Sequence, residues 1–148
     1  MPVAVYCRVS SEEQAERGTI EIQKEFAAKY VDLYQLEVFD YYCDDGISGT
    51  IPVEARPEGS RLFRDAREKK FDTILFYKID RLGRKVRVIL NAVHDLEELG
   101  VSIRSMTEPL ETETPTGRFM LTSLAGISEL ERDTILSRMW AGSQRAAR

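Results

Sequence analysis

The chain has one histidine and two cysteines in 148 residues. Two cysteines cannot build a disulfide framework. Neither belongs to a CxxC pair, and with one histidine they make no zinc site. A reducing, cytoplasmic setting is expected, with Cys7 and Cys43 as packing thiols even if they lie on neighbouring strands. No apolar run approaches the ~18 residues of a membrane span. The start, Met1-Pro2-Val3-Ala4-Val5, has no basic leader, so neither anchor nor signal peptide is expected. Walker and GxGxxG motifs are absent, which leaves ATP or NAD use without support. No dense carboxylate cluster of the kind that holds paired metals is present, which argues against a metal-dependent nuclease. No cofactor is expected. Internal repeats and low-complexity segments are missing as well.

Positive charge is also scarce overall: the formal charge is −4, which taken whole argues against a nucleic-acid partner. Its distribution matters more than its sum. The 21 basic residues are 15 Arg and 6 Lys, and Arg is the side chain suited to bidentate phosphate contacts. Residues 132–148 carry Arg132, Arg138, Arg145 and Arg148 against Asp133 alone, about +3, while the rest of the chain is about −7. Anion binding is therefore expected to be local.

Short β-type runs alternate with helical patterns. Val3–Arg8 reads as a strand. Thr19 caps a helix to Tyr34 whose apolar positions are Ile22, Phe26, Tyr30 and Leu33. Leu36–Cys43 is a second strand closed by Asp44-Asp45-Gly46. A loop over Ile47–Arg56 contains Gly49 and Pro52, and Pro57 starts a helix to about Lys70. Thr73–Ile79 is a third strand. Val86, Ile89, Leu90, Val93 and Leu96 mark a helix that stops at Gly100. Val101–Met106 is a fourth strand, and Thr114-Pro115-Thr116-Gly117 opens a last helix. The pattern predicts an α/β fold, an open and mainly parallel sheet flanked by helices. A core over residues 1–113 and a long helix over 114–148 would form one structural domain.

The last helix would run about 25–30 residues against the usual 11–12. Phe119, Met120, Leu121, Leu124, Ile127 and Leu130 make it apolar on more than one side. That favours a partner subunit over a central core helix. The pattern is still helical at Arg148, so the chain is expected to be a fragment.

Ligands of open α/β sheets bind beyond the carboxyl ends of the strands, and the polar residues collect there. Arg8 and Ser10 follow strand one, Asp44 and Asp45 strand two, and Asp80-Arg81-Leu82-Gly83-Arg84 strand three. Period two places Ala4, Tyr6, Arg8 and Ser10 on one face and Val3, Val5, Cys7 and Val9 on the other. A buried Arg8 needs either a salt bridge, with Asp44 or Asp80, or an anion. Ser10 alone reads equally as a turn residue. Arg81 and Arg84 form either a solvated helix start or a phosphate clamp, although cations at a helix N-terminus oppose its dipole. A hydroxyl among three guanidiniums suits phosphoryl transfer, where they stabilise oxygens that gain charge.

Tyr6-Cys7-Arg8-Val9-Ser10, Asp80-Arg81-Leu82-Gly83-Arg84 and Leu130-Glu131-Arg132 together resemble, in order, the motifs of serine site-specific recombinases, the resolvase/invertase family. Ile20-Glu21-Ile22-Gln23 and Thr116-Gly117-Arg118-Phe119-Met120 fall into the same register, and the resemblance spans about Ala4 to Arg145. It implies a resolvase-like catalytic domain whose serine attacks a DNA phosphodiester. The products are a 5′-phosphoserine link and a free 3′-hydroxyl, with neither metal nor ATP required. Ser10 matches the nucleophile, Arg8, Arg81 and Arg84 the arginines around the scissile phosphate, and Asp80 their acidic neighbour. Gln23, Arg56, Glu131 and Arg132 match further active-site positions. Asp44 looks like the acidic residue after strand two, and Tyr6 is expected to pack beside the site.

The terminal helix matches the one on which such recombinases dimerise and approach DNA. Arg138, Arg145 and Arg148 would track phosphates, and Met139 and Trp140 would pack on a partner or near a groove. The implied partners are double-stranded DNA and a second copy, with a tetramer in the synaptic complex of the full-length protein. Asp44-Asp45-Gly46-Ile47-Ser48-Gly49 and Arg56-Pro57 look more like the large integrase or transposase branch. A DNA-binding region is expected beyond Arg148. Two other readings stand beside this one: a catalytically silent oligomerisation module that positions DNA-binding parts, and a flavodoxin-like phosphate binder. His94 is expected at the surface.

Overall fold

The computed structural model of the chain describes residues 1–10, 19–123 and 126. Among them four strands form one parallel sheet in the order β2-β1-β3-β4: β1 (Val3–Val9), β2 (Val38–Asp45), β3 (Thr73–Phe76) and β4 (Ser102–Ser105). The connections hold α1 (Ile20–Leu33), α2 (Pro57–Arg67), a single turn α3 (Ile79–Leu82) and α4 (Val86–Glu98). Helical backbone begins again at 115. This is the expected α/β architecture, and the alternation of strand and helix patterns was its signal.

Local chemistry fixes the ends. Thr19 Oγ1 accepts from the Ile22 amide at 3.4 Å, and Pro57 is the first residue of α2. Gly100 ends α4 with φ of +78°, a conformation that disfavours any side chain, and its amide donates to the Glu97 carbonyl at 2.9 Å. Thr114 Oγ1 accepts from the Gly117 amide at 3.1 Å and so caps the helix that follows, with Pro115 as its first residue.

A parallel sheet is covered on both faces, and β1 is buried along its whole length. On one face Ala4 and Tyr6 join Ile74 and Phe76 beneath Leu62, Phe63 and Ala66 of α2 and Ala92, Val93 and Leu96 of α4. On the other, Val3, Val5, Cys7 and Leu75 pack against Ala27, Ile20, Tyr30 and Val31 of α1. The period-two division of strand one is therefore the division between the two core layers.

Three expectations are corrected. The expected apolar stripe of α1 is only partly buried: Tyr30 packs against the core, but Ile22, Phe26 and Leu33 are 43%, 36% and 76% exposed, while Gln23 and Ala27 are fully buried. Asp44 and Asp45 do not close a strand but belong to it, because β1 continues to Val9 and pairs Arg8 with Asp44 and Val9 with Asp45. The third strand stops at Phe76 and Ile79 already starts α3, so β3 is shorter than the apolar run suggested.

In the terminal helix, Leu121 is buried in the core while Phe119 and Met120 are 69% and 41% exposed. Apolar side chains thus leave this helix on two sides, as expected. Leu124, Ile127, Leu130, Met139 and Trp140 lie outside the described residues, as do Glu131, Arg132, Arg138, Arg145 and Arg148. No helix among the described residues is long and apolar enough to cross a membrane. His94 is exposed, 3.2 Å from Glu98 on the next turn of α4.

Candidate active site

The chain leaves β1 for β2 on one side and later returns to β3 on the other. The carboxyl ends of β1 and β3 therefore flank the point where the strand order reverses, the usual ligand position in such sheets. Arg8 and Ser10 come from the end of β1, Asp80 and Arg81 from α3 after β3, and a loop over residues 46–52 arches from β2 toward both.

β1 outruns its neighbour. It pairs with β3 only from Val3 to Tyr6, so on that side the backbone beyond Tyr6 must find other partners. Gln23 supplies them. The Arg8 amide donates to Gln23 Oε1 at 3.3 Å, and Gln23 Nε2 donates to the Arg8 carbonyl at 3.1 Å. That requirement turns Gln23 inward and leaves Ile22, Phe26 and Leu33 of the apolar stripe exposed, with Tyr30 still on the core.

The Arg8 side chain is fully buried, and its donors reach backbone carbonyls. Nε donates to Arg81 O at 3.0 Å, Nη1 to Ile47 O at 3.0 Å and Nη2 to Asp80 O at 2.7 Å. Of the two carboxylates expected as ion-pair partners, Asp44 is turned away, while Asp80 is near enough for its charge to act on Arg8. Although paired in register with Arg8, Asp44 turns its carboxylate to Tyr6 and α2. The three carbonyls thus satisfy donors on all three guanidinium nitrogens. Burial first, and then the charge of Arg56, lowers the Arg8 pKa.

A second buried chain runs through Tyr6, which packs beside the site as expected. Its hydroxyl donates to Asp44 Oδ2 at 2.8 Å and accepts from Arg56 Nη1 at 2.9 Å. Asp44 also accepts from the amides of Glu58 and Gly59 at 2.8 and 3.1 Å, capping α2 from a neighbouring strand. Arg56 is fully buried and donates from Nε to Ile51 O at 3.0 Å. Burial, the largest cause, pushes the Tyr6 phenol well above its ordinary range, with Arg56 opposing and Asp44 assisting.

Gly49 is where these arginines converge. A Cβ there would lie 2.8 Å from Arg84 Cγ and 2.9 Å from Arg8 Nη2. The Gly49 carbonyl accepts from the Arg84 amide at 2.9 Å. Arg84 is exposed, whereas Arg81 is 6% exposed, so the two present one reachable and one recessed guanidinium. Desolvation, then Arg8 and Arg84, lowers the Arg81 pKa, which records three like charges held together. Desolvation raises the Asp80 carboxyl although its outer side is open to solvent, with Glu108 adding to the rise and Arg8 opposing it. Ser10 is buried just past the end of β1.

The structure thus brings Arg8, Arg81, Arg84 and Asp80 together beside the strand that carries Ser10, and adds Gln23 and Arg56 as supports. Asp44 and Tyr6 were marked in the sequence, but not as links to Arg56 and α2. Gly49 was read as a loop residue and as the end of the Asp44–Gly49 motif, but not as the point where the arginines meet. A cluster of guanidiniums with one carboxylate, Asp80, 3.6 Å from Arg81 Nε can hold an anion and stabilise charge developing on it.

A sequence model of the family described as "Resolvase, N terminal domain" matches residues 3–148. The serine recombinase Gin of Escherichia phage Mu is 36% identical over 99 residues, covering 67% of this chain and 49% of Gin. The DNA-invertase Hin of Salmonella typhimurium is 33% identical over 116 residues, 76% of this chain and 59% of Hin. The chain spans about half the length of these relatives. The N-terminal catalytic domain of TP901-1 integrase superposes with a TM-score of 0.76 at 36% identity, over 90% of this chain and 98% of that one. A resolvase-family site-specific recombinase from Streptococcus pneumoniae shares the fold at 22% identity, with a TM-score of 0.74 over 99% and 98% of the two chains.

Proposed function

The chain belongs to the resolvase N-terminal-domain family, and on that premise we propose that it is the catalytic domain of a site-specific DNA recombinase with Ser10 as nucleophile. The observation that carries this reading is the buried guanidinium cluster of Arg8 and Arg81, with Arg84 at its rim, beside the strand that leads into Ser10. Relatives named serine recombinase, DNA-invertase and integrase support it.

In the proposed step Ser10 Oγ bonds to a DNA phosphorus while the bond from phosphorus to the 3′-oxygen breaks. The serine proton leaves and a proton ends on the 3′-oxygen. Arg81 and Arg84 are placed to meet the non-bridging oxygens as they gain charge. Arg8 contributes its charge from beneath and holds the two loops in register. Asp80, with its raised affinity for protons, is suited to proton transfer at the mouth. The phosphoserine bond would keep the energy of the broken phosphodiester, so rejoining would need no nucleotide. Gln23, Arg56 and Asp44 act as positioning residues.

The charged tail residues Arg138, Arg145 and Arg148 are proposed as DNA contacts, and Glu131 and Arg132 as further members of the site. The exposed Phe119 and Met120 favour pairing of two copies along the terminal helix, with a tetramer during exchange. The Asp44–Gly49 and Arg56-Pro57 stretches, together with the 36% identity to the TP901-1 integrase domain, favour the integrase branch.

The test is full-length Ser10→Ala. It should assemble on its DNA sites yet form no covalent protein–DNA adduct. An adduct formed by that variant would remove Ser10 from the mechanism.

A further inference from the structure

The chain's entire cysteine content meets at one register position. Cys7 of β1 and Cys43 of β2 are direct partners across a parallel ladder. Both belong to the core layer under α1, Cys7 buried and Cys43 half-buried at its margin, and both are free thiols. Adjacent strands lie about 4.7–4.9 Å apart. That falls within the roughly 4.4–6.8 Å between Cα atoms that a disulfide bridges. Side chains at paired positions leave the sheet on the same side, so the two thiols are neighbours on one face.

We infer that Cys7 and Cys43 form a site of reversible modification, an intramolecular dithiol that peroxide converts to a disulfide. Cys43 is taken as the attacking partner because it is the half-buried one, whereas Cys7 is fully buried beneath the helix. The neighbouring Cys7 thiol, and after it the Lys24 ammonium, lower the Cys43 pKa against the opposing effect of burial, while the neighbouring Cys43 and burial raise that of Cys7.

Cys43 Sγ attacks one peroxide oxygen. The O–O bond breaks, hydroxide leaves and Cys43 becomes a sulfenic acid. Cys7 Sγ then attacks the Cys43 sulfur, the S–O bond breaks, and the Cys7 proton leaves with that oxygen as water. In sum, two thiols and one hydrogen peroxide give one disulfide and two waters. The bond would staple β1 to β2 one residue before the Arg8–Asp44 pair.

The experiment treats the native protein with hydrogen peroxide, alkylates remaining thiols and maps tryptic peptides by mass spectrometry before and after dithiothreitol. The expected result is a peptide pair joined through Cys7 and Cys43 within one chain, released by reduction. In Cys43→Ser the same treatment leaves Cys7 alkylated. Wild-type protein overturns the inference if it shows both cysteines alkylated, over-oxidation of Cys43 with Cys7 alkylated, or only links between chains.

Discussion

Gln23 grips the backbone of Arg8 on both sides, accepting from its amide at 3.3 Å and donating to its carbonyl at 3.1 Å. This one side chain completes the ladder that β3 is too short to provide, and it sets the height of Arg8 in the site.

Gln23→Leu should therefore destabilise the fold by about 2 kcal/mol, the usual cost of stranding buried backbone groups. Urea denaturation of the variant measures the loss. An unchanged midpoint would show that the grip is not needed.

Tyr6→Phe removes the hydroxyl between Asp44 and Arg56 while keeping the ring. The expected loss is about 1.5–3 kcal/mol, because both former partners are charged and buried. Covalent adduct formation should fall as well, since Arg56 holds the loop over residues 49–51.

Gly49→Ala puts a methyl group against Arg8, which three carbonyls prevent from yielding, and against Arg84. The chain should fold, with its far-ultraviolet circular dichroism unchanged. Adduct formation should drop at least about tenfold, as small misplacements of catalytic groups do. Wild-type rates would show that the loop tolerates the displacement.

Acid sensitivity should track Arg61. Its guanidinium, hydrogen-bonded to Asp40 and Glu58, lowers both carboxyl pKa values from their ordinary 3.8 and 4.5. Groups with depressed folded pKa values stabilise the fold above their unfolded values. That contribution is lost as the pH falls through the folded ones. The stability gap between wild type and Arg61→Met should thus be largest above about pH 4.5 and shrink in more acid solution. Partial exposure of all three side chains keeps the gap modest. Urea titrations at neutral pH and at about pH 3 measure it, and a gap that widens in acid would reverse the assignment.

Much of this architecture was legible. Strict alternation in Val3–Val9 separated the two core layers, because each face of a central strand meets a different helix. What escaped was set at long range. The apolar spacing of Ile22, Phe26, Tyr30 and Leu33 located the buried face of α1 only through Tyr30, since the unmet backbone of Arg8 brings Gln23 inward and leaves the other three exposed. The cap of α2 was invisible because Asp44, 14 residues before Glu58, supplies it from a strand. The motif arginines read as phosphate ligands alone, yet Arg8 also binds three carbonyls of two loops. Spacing along the chain does not encode such contacts.

The most direct test of the central claim is the identity of the covalent link. Full-length protein incubated with a nicked suicide duplex bearing its site, then digested and sequenced by mass spectrometry, should carry a 5′-phosphoryl nucleotide on Ser10, with a free 3′-hydroxyl on the other DNA end. A link through any other residue, a 3′-phosphoryl link, or cleavage without a link would contradict the account.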